Sequence, residues 1–181
     1  MTKQLRKMKK FRFQLLDEWL TANHQPCSVA DIGGGKGLLA LLLIKRGWDV
    51  TIIDPTPAGK APRYRDPETG KQIKLTKEEL TSIPRINQPF QKEMAKHFDL
   101  LIGMHAHGSN MSIIESSQEY GKDFIIFPCC VIGEPIIPQP NINWLLSLEK
   151  YAGELGHSVR KVQLNFRGQN IGPYNFEPTT I

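Results

Sequence analysis

No stretch of this 181-residue chain stays apolar long enough to cross a bilayer as a helix, so a helical membrane span is excluded. No secretory leader is expected ahead of the fold either. Cysteine is scarce: Cys27, Cys129 and Cys130 are the only three, two of them adjacent. That excludes a disulfide framework and points to a reducing intracellular compartment, the cytoplasm ahead of an organelle. Acid is missing before Asp17, while Lys3, Arg6, Lys7, Lys9, Lys10 and Arg12 crowd the same stretch. Such a start has the composition of a transit peptide, but its apolar spacing assigns it to a first helix. With 40% hydrophobic residues the chain fills one core and has no room for two. One domain is therefore expected over 1–181, with a basic amphipathic helix in 1–24 and the main body in 25–181.

What the chain does have is a glycine-dense turn, Asp31-Ile32-Gly33-Gly34-Gly35-Lys36-Gly37, entered from Ser28-Val29-Ala30 and left through the leucine-rich run Leu38 to Ile44. A short strand, a turn needing unusual backbone freedom and a buried helix are how an α/β sheet builds a nucleotide pocket. The helix, expected to open at Lys36 and stop before Gly47, aims unpaired N–H groups at the ligand. A dinucleotide fingerprint needs glycine at 38, where Leu38 stands, so the spacing favours a ligand other than NAD. Trp48 to Asp54 is a second strand whose closing carboxylate lies over the turn. Asp54 is thus the candidate to hold a ribose diol.

The remaining elements follow from periodicity. Leu5, Met8, Leu15, Trp19 and Leu20 predict a helix over about 4–22. Proline and glycine from Pro55 to Pro62, then polar basic residues to Lys77, predict an irregular loop. Thr76 and Glu79 have capping-box spacing for a short helix, as do Ser112 and Glu115 for a longer one ending at Gly121. Ser82 to Asn87, interrupted by Pro84, is offered as the third strand, at a sheet edge. Phe98–Met104 and Asp123–Phe127 are the fourth and fifth. A helix from Asn143 ends at Gly156. Val162, Leu164 and Phe166 alternate toward a return run through Ile171, Tyr174 and Phe176, and so short a connection permits only an antiparallel pair. The expected fold is α/β, a Rossmann-like doubly wound, mostly parallel sheet closed by an antiparallel hairpin.

The glycine turn, its second acid and that hairpin resemble the class I S-adenosylmethionine-dependent methyltransferases over nearly the whole chain. The resemblance implies S-adenosylmethionine as cofactor. It assigns Asp31 to the methionine amino group, Gly33, Gly34, Gly35 and Gly37 to the turn beneath the cofactor, Asp54 to the ribose and Asn87 to the adenine, with Met104 a further cofactor-binding residue. Gly103-Met104-His105 together with Phe127-Pro128-Cys129-Cys130 resembles methyltransferase-like families carrying Pro-Cys-Cys after strand five, near the Cys-Cys tRNA ribose methyltransferases. In this chain His107 and Gly108 replace the acid or cysteine and its neighbour found there. Leu164, Phe166, Gly168 and Asn170 are similar to the closing motif of some members.

The resemblance implies a methyltransferase with His105, Cys129 and Cys130 at the reaction centre. The loop after strand four lacks the Asn/Asp-Pro-Pro-aromatic motif of amino-group methyltransferases, which disfavours that chemistry. His105 either takes a proton from a hydroxyl acceptor or only hydrogen-bonds its loop. His105, His107, Cys129 and Cys130 are a zinc-compatible set, but strand geometry sends adjacent cysteines to opposite sides. The expectation is accordingly no metal, one buried cysteine and one lining the pocket. A net charge of +5 is clustered in the first helix and in the loop after Asp54, at Lys60, Arg63, Arg65, Lys71, Lys74 and Lys77. Two such patches suit RNA, or are solvated faces. The rivals are a methyltransferase for a small molecule or protein, and a non-catalytic module that binds cofactor or RNA.

Overall fold

The computed structural model describes residues 11–57, 63–65, 69, 71–135 and 143–179. Helix α1, Arg12–Asn23, leads into strand β1, Ser28–Ile32, of which only the first residue escapes full burial. The glycine turn follows, then α2, Leu38–Ile44, and β2, Asp49–Ile53. Two three-residue strands come next, β3, Arg63–Arg65, and β4, Gln72–Lys74, and then α3, Lys77–Thr81, and β5, Arg85–Ile86. A 3-10 turn at Lys92–His97 precedes β6, Leu100–Met104, and α4, Asn110–Tyr120. Strand β7, Asp123–Phe127, helix α5, Trp144–Glu154, and strands β8, Arg160–Gln163, and β9, Ile171–Tyr174, complete the order.

Seven strands form one sheet in the order β5-β2-β1-β6-β7-β9-β8. The first five run parallel, with Ser28 opposite Asp49 and Ile32 opposite Ile53 in the β1–β2 register. Strand β9 is antiparallel to both β7 and β8. This is the doubly wound sheet with an antiparallel hairpin that the sequence predicts. The order reverses between β1 and β6, and a crevice opens outside the carboxyl ends of the strands at that switch point.

Both faces of the central strands are covered, which is why β6 and, after Asp123, β7 read as continuous apolar runs rather than alternations. One face packs Leu16 and Leu20 of α1, Leu39 and Leu43 of α2, Trp48 and the hairpin aromatics Phe166, Tyr174 and Phe176. The other packs Ala95 and Phe98, Ile113 and Ile114 of α4, and Leu148 and Ala152 of α5. Asp17 of α1 is buried but paired: both carboxylate oxygens accept from Arg46 Nε, at 3.0 and 2.9 Å. Among the described residues no helix is long and apolar enough to cross a membrane.

Several boundaries differ from the sequence reading, each for a physical reason. Helix α2 opens at Leu38 rather than Lys36, because Gly37 sits at φ +79° and cannot be helical. The third strand shrinks to Arg85–Ile86, with the Pro84 carbonyl accepting from Ile52 N at 2.9 Å where the proline itself has no N–H to give. The loop after Asp54 is not wholly irregular, since β3 and β4 pair as an antiparallel ribbon with Tyr64 opposite Ile73. The Thr76–Glu79 capping box is present on α3. The one expected at Ser112 is not. Helix α4 begins at Asn110, where the Glu134 carboxylate accepts from Asn110 N at 2.9 Å and Met111 N at 3.2 Å. The first part of the expected 4–22 helix, with Leu5, Met8 and the basic residues Lys3 to Lys10, lies outside the described residues, as do Lys60 and the loop prolines 138 and 140.

Candidate functional site

The glycine turn is shaped by what each added carbon would strike. A Cβ on Gly34 would sit 2.5 Å from Asp31 Oδ2, and one on Gly33 would sit 3.1 Å from the Ala106 Cβ. Gly33, Gly35 and Gly37 have φ of +67°, +54° and +79°, which side chains rarely adopt. The Asp31 carboxylate therefore lies directly over the turn, 2% exposed. Its Oδ2 has no hydrogen-bond partner in the described structure. Burial pushes the Asp31 carboxyl up to about 7, with the Arg85 guanidinium opposing the rise and neighbouring Asp54 adding to it. A buried acceptor without a donor is costly, and a cationic ligand group placed over the turn would relieve that cost.

Asp54 closes the other side. Its Oδ2 accepts from Gly35 N and its Oδ1 from Thr56 N, both at 2.8 Å. The carboxylate thereby splints the turn to the loop after β2, while each oxygen retains a second lone pair. Arg85 is a residue the sequence reading missed. Its guanidinium donates to the Gly35 carbonyl and, at 3.2 Å, to the Thr56 carbonyl, so the same two segments are tied twice. Only the position of Arg85 on a strand beside β2 makes this possible, and no local pattern announces it.

Two hollows meet at Gly33, His105 and His107. The smaller, about 390 Å³, runs past Asp54 between Pro55, Pro89, Phe90 and Ala106, with Thr56, Ser109 and Ser112 adding polar groups to its lining. The larger, about 690 Å³, passes Gly33, Gly34, Gly35 and Met104 and opens between Arg12, Phe13, Lys36, Arg63, Tyr64 and Gln72. The β3–β4 ribbon thus brings a cation and an aromatic to the same cleft as α1. Asn87 follows β5 and lines neither hollow, whereas Pro89 and Phe90 a turn later do.

His105 carries φ +61°, the only positive φ on a non-glycine residue among those described. A side chain held in that region is strained and is usually held there by its surroundings. Here the His105 N donates to the Phe127 carbonyl at 3.2 Å, and its Nε2 lies 3.2 Å from the Gln169 carbonyl oxygen. The hairpin loop therefore orients the imidazole over the crevice.

Cys129 and Cys130 do not face opposite ways, contrary to the strand-based expectation. Strand β7 ends at Phe127, so the two-residue alternation of a strand does not extend to them. Cys130 Sγ lies 2.9 Å from His107 Nδ1, and Cys129 Sγ lies 3.7 Å from His107 Nε2. The thiols are 3.9 Å apart. Arg12 is close enough to Cys129 for its charge to be felt there, although burial lowers the arginine from its ordinary value.

No protein-family model matches the chain, and no curated protein sequence matches it. Solved structures do. The chain is similar to ribosomal protein L11 methylase from Lactobacillus delbrueckii subsp. bulgaricus at 19% identity and TM-score 0.52, over 93% of this chain and 77% of that one. It is similar to precorrin-6y C5,15-methyltransferase from Geobacter metallireducens GS-15 at 12% identity and TM-score 0.52, over 96% and 90%. It is similar to the N-methyltransferase NodS from Bradyrhizobium japonicum WM9 at 12% identity and TM-score 0.52, over 96% of both. At such identities the likeness is one of fold, and the fold is that of the class I methyltransferases.

Proposed function

We propose that this chain is an S-adenosylmethionine-dependent methyltransferase acting on RNA, built as one domain. One observation carries the reading: a fully buried carboxylate oxygen of Asp31 without a partner, held over a turn where only glycine fits. S-adenosylmethionine supplies an electrophilic methyl group on a sulfonium, in a molecule that also bears an ammonium and a ribose diol. The residues present fit that group. Asp31 accepts from the ammonium, the remaining lone pairs of Asp54 accept from the diol, and the slot walled by Pro55, Pro89 and Phe90 takes the base. Gly33, Gly34, Gly35 and Gly37 leave the backbone open to close approach, and Met104 lines the larger hollow beside them.

The acceptor enters through the larger hollow. Arg12, Lys36 and Arg63 bind phosphates there, and Phe13 and Tyr64 offer rings on which bases stack. His105 sits where the hollows join. There its imidazole takes the proton from a hydroxyl, such as that of a ribose. The resemblance to the Cys-Cys tRNA ribose methyltransferases favours that acceptor. Holding nucleophile and methyl donor together is the larger part of the acceleration in a direct displacement.

Incubation with methyl-labelled S-adenosylmethionine and separate RNA, protein and small-molecule fractions tests the proposal. Label is expected in RNA. Label confined to protein or metabolites rejects the RNA reading, and calorimetry showing binding of NAD but not S-adenosylhomocysteine rejects the methyltransferase itself.

A further inference from the structure

Outside the glycine turn, tertiary structure gathers one metal-ligating cluster among the described residues: His107 from the loop after β6, and Cys129 and Cys130 from the loop after β7. Their donor atoms all lie within 4.8 Å of one another. The two loops are locked together at this point. A Cβ on Gly108 would meet the Gly133 carbonyl oxygen at 3.0 Å, so the backbones touch, and Glu134 of the second loop caps α4, which follows the first. The cluster is thus supported from outside itself.

We propose that His107, Cys129 and Cys130 form a binding site for a zinc ion, with a fourth coordination position left to a ligand from outside the chain. The distances among Nδ1 and the two sulfurs are 2.9, 3.9 and 3.9 Å. A point equidistant from three atoms so spaced lies about 2.1 Å from each, and a cation moved slightly toward the nitrogen and out of their plane meets the ~2.3 Å of zinc–sulfur and ~2.0 Å of zinc–nitrogen bonds. The donors need little movement.

The chemistry of the set selects the metal. Two thiolates and an imidazole are too soft for magnesium or calcium, whose ligands are oxygens, and suit zinc. On binding, each thiol gives its proton to solvent as its sulfur joins the ion, and the two thiolate charges cancel the dication. The nearby Arg12 is therefore not repelled by the loaded site. Three protein ligands with a vacant fourth position are the pattern of zinc sites that polarise a bound oxygen or sulfur. His107 lines both hollows, and Cys129 and Cys130, which line neither, stand behind it. The site stands on its own geometry and does not require the methyl-transfer reading.

Cobalt(II) titration of the full-length protein, stripped of metal and kept reduced, provides the test, because thiolate-to-cobalt charge-transfer absorption counts the sulfurs bound. One equivalent is expected to bind with a two-thiolate band that zinc abolishes. C129S and C130S should each lower the band by roughly half, H107A should weaken binding at least ~10-fold, and C27S should leave the band unchanged. Circular dichroism of each variant confirms that it is folded. Absence of saturable uptake by the wild-type protein overturns the proposal, and so does a full-strength band that persists in the folded C129S/C130S double variant. Neither outcome bears on cofactor binding, which is read separately with S-adenosylhomocysteine.

Discussion

At Asp31, a proton competes with a cation. The carboxyl ionises near 7 when buried, against an ordinary 3.8, so between those values the folded protein holds a proton that the unfolded chain has lost. Stability contributed by this group therefore falls as pH rises from 3.8 toward 7, and is level above. Binding runs the other way, because an ammonium pairs with the ionised form. Affinity for S-adenosylhomocysteine should rise roughly ten-fold between about pH 6 and 8, and calorimetry of the Asp31→Asn variant should show weak binding without that rise. Its thermal unfolding should also lose the pH dependence that Asp31 supplies. Gly34 makes a related case. Its φ is not positive, so Gly34→Ala acts only through the Cβ that would stand 2.5 Å from Asp31 Oδ2. The carboxylate must shift, and a stability loss of about 1–3 kcal/mol is expected together with loss of cofactor binding, read by denaturant melts and calorimetry.

Among the elements, those decided locally were legible in the sequence and those decided from a distance were not. Strand β1, the turn, α2 and β2 follow from adjacent residues: an apolar run, glycines where φ is positive, then leucines. The Asn143 cap of α5 and the Thr76–Glu79 box are equally local. The start of α4 is not, because its partner Glu134 comes from 24 residues away. Glu134→Ala removes the acceptor for two backbone N–H groups and should cost about 1–2 kcal/mol, measured by thermal unfolding. The β3–β4 ribbon is illegible for a different reason. Gln72, Ile73 and Lys74 are all exposed, so no buried side alternates with a solvated one to mark a strand. In the candidate site, Asp31, the glycines, Asp54 and His105 were legible because they sit at strand ends. Arg85 was not, since its role depends on β5 lying beside β2. The meeting of His107 with two adjacent thiols was likewise hidden, because it requires knowing that β7 stops before them.

For the molecule as a whole, charge placement matters more than its net value. The formal net charge is +5, yet Arg12, Lys36 and Arg63 gather on one cleft. RNA affinity should fall linearly on a log–log plot against salt, and the R12A/R63A variant should lower that slope by about 1 to 1.5, near 0.7 for each phosphate deprived of its cation. Equilibrium binding across a salt series reads both, and an unchanged slope would place the RNA elsewhere. A cleft wall also depends on residues far apart in the chain. Trp19 of α1 packs edge-on against Tyr174 at 5.0 Å between ring centres, and His24 against Phe176 at 4.7 Å. Thr179 N donates to the Asn23 carbonyl at 2.8 Å. During translation, α1 can meet α2 through Asp17 and Arg46 early, but its contacts with residues 174–179 form only after these leave the ribosome. The helix that carries Arg12 and Phe13 is thus fastened at its far end last, so a nascent chain has the residues of its glycine turn long before the last of its cleft's supports.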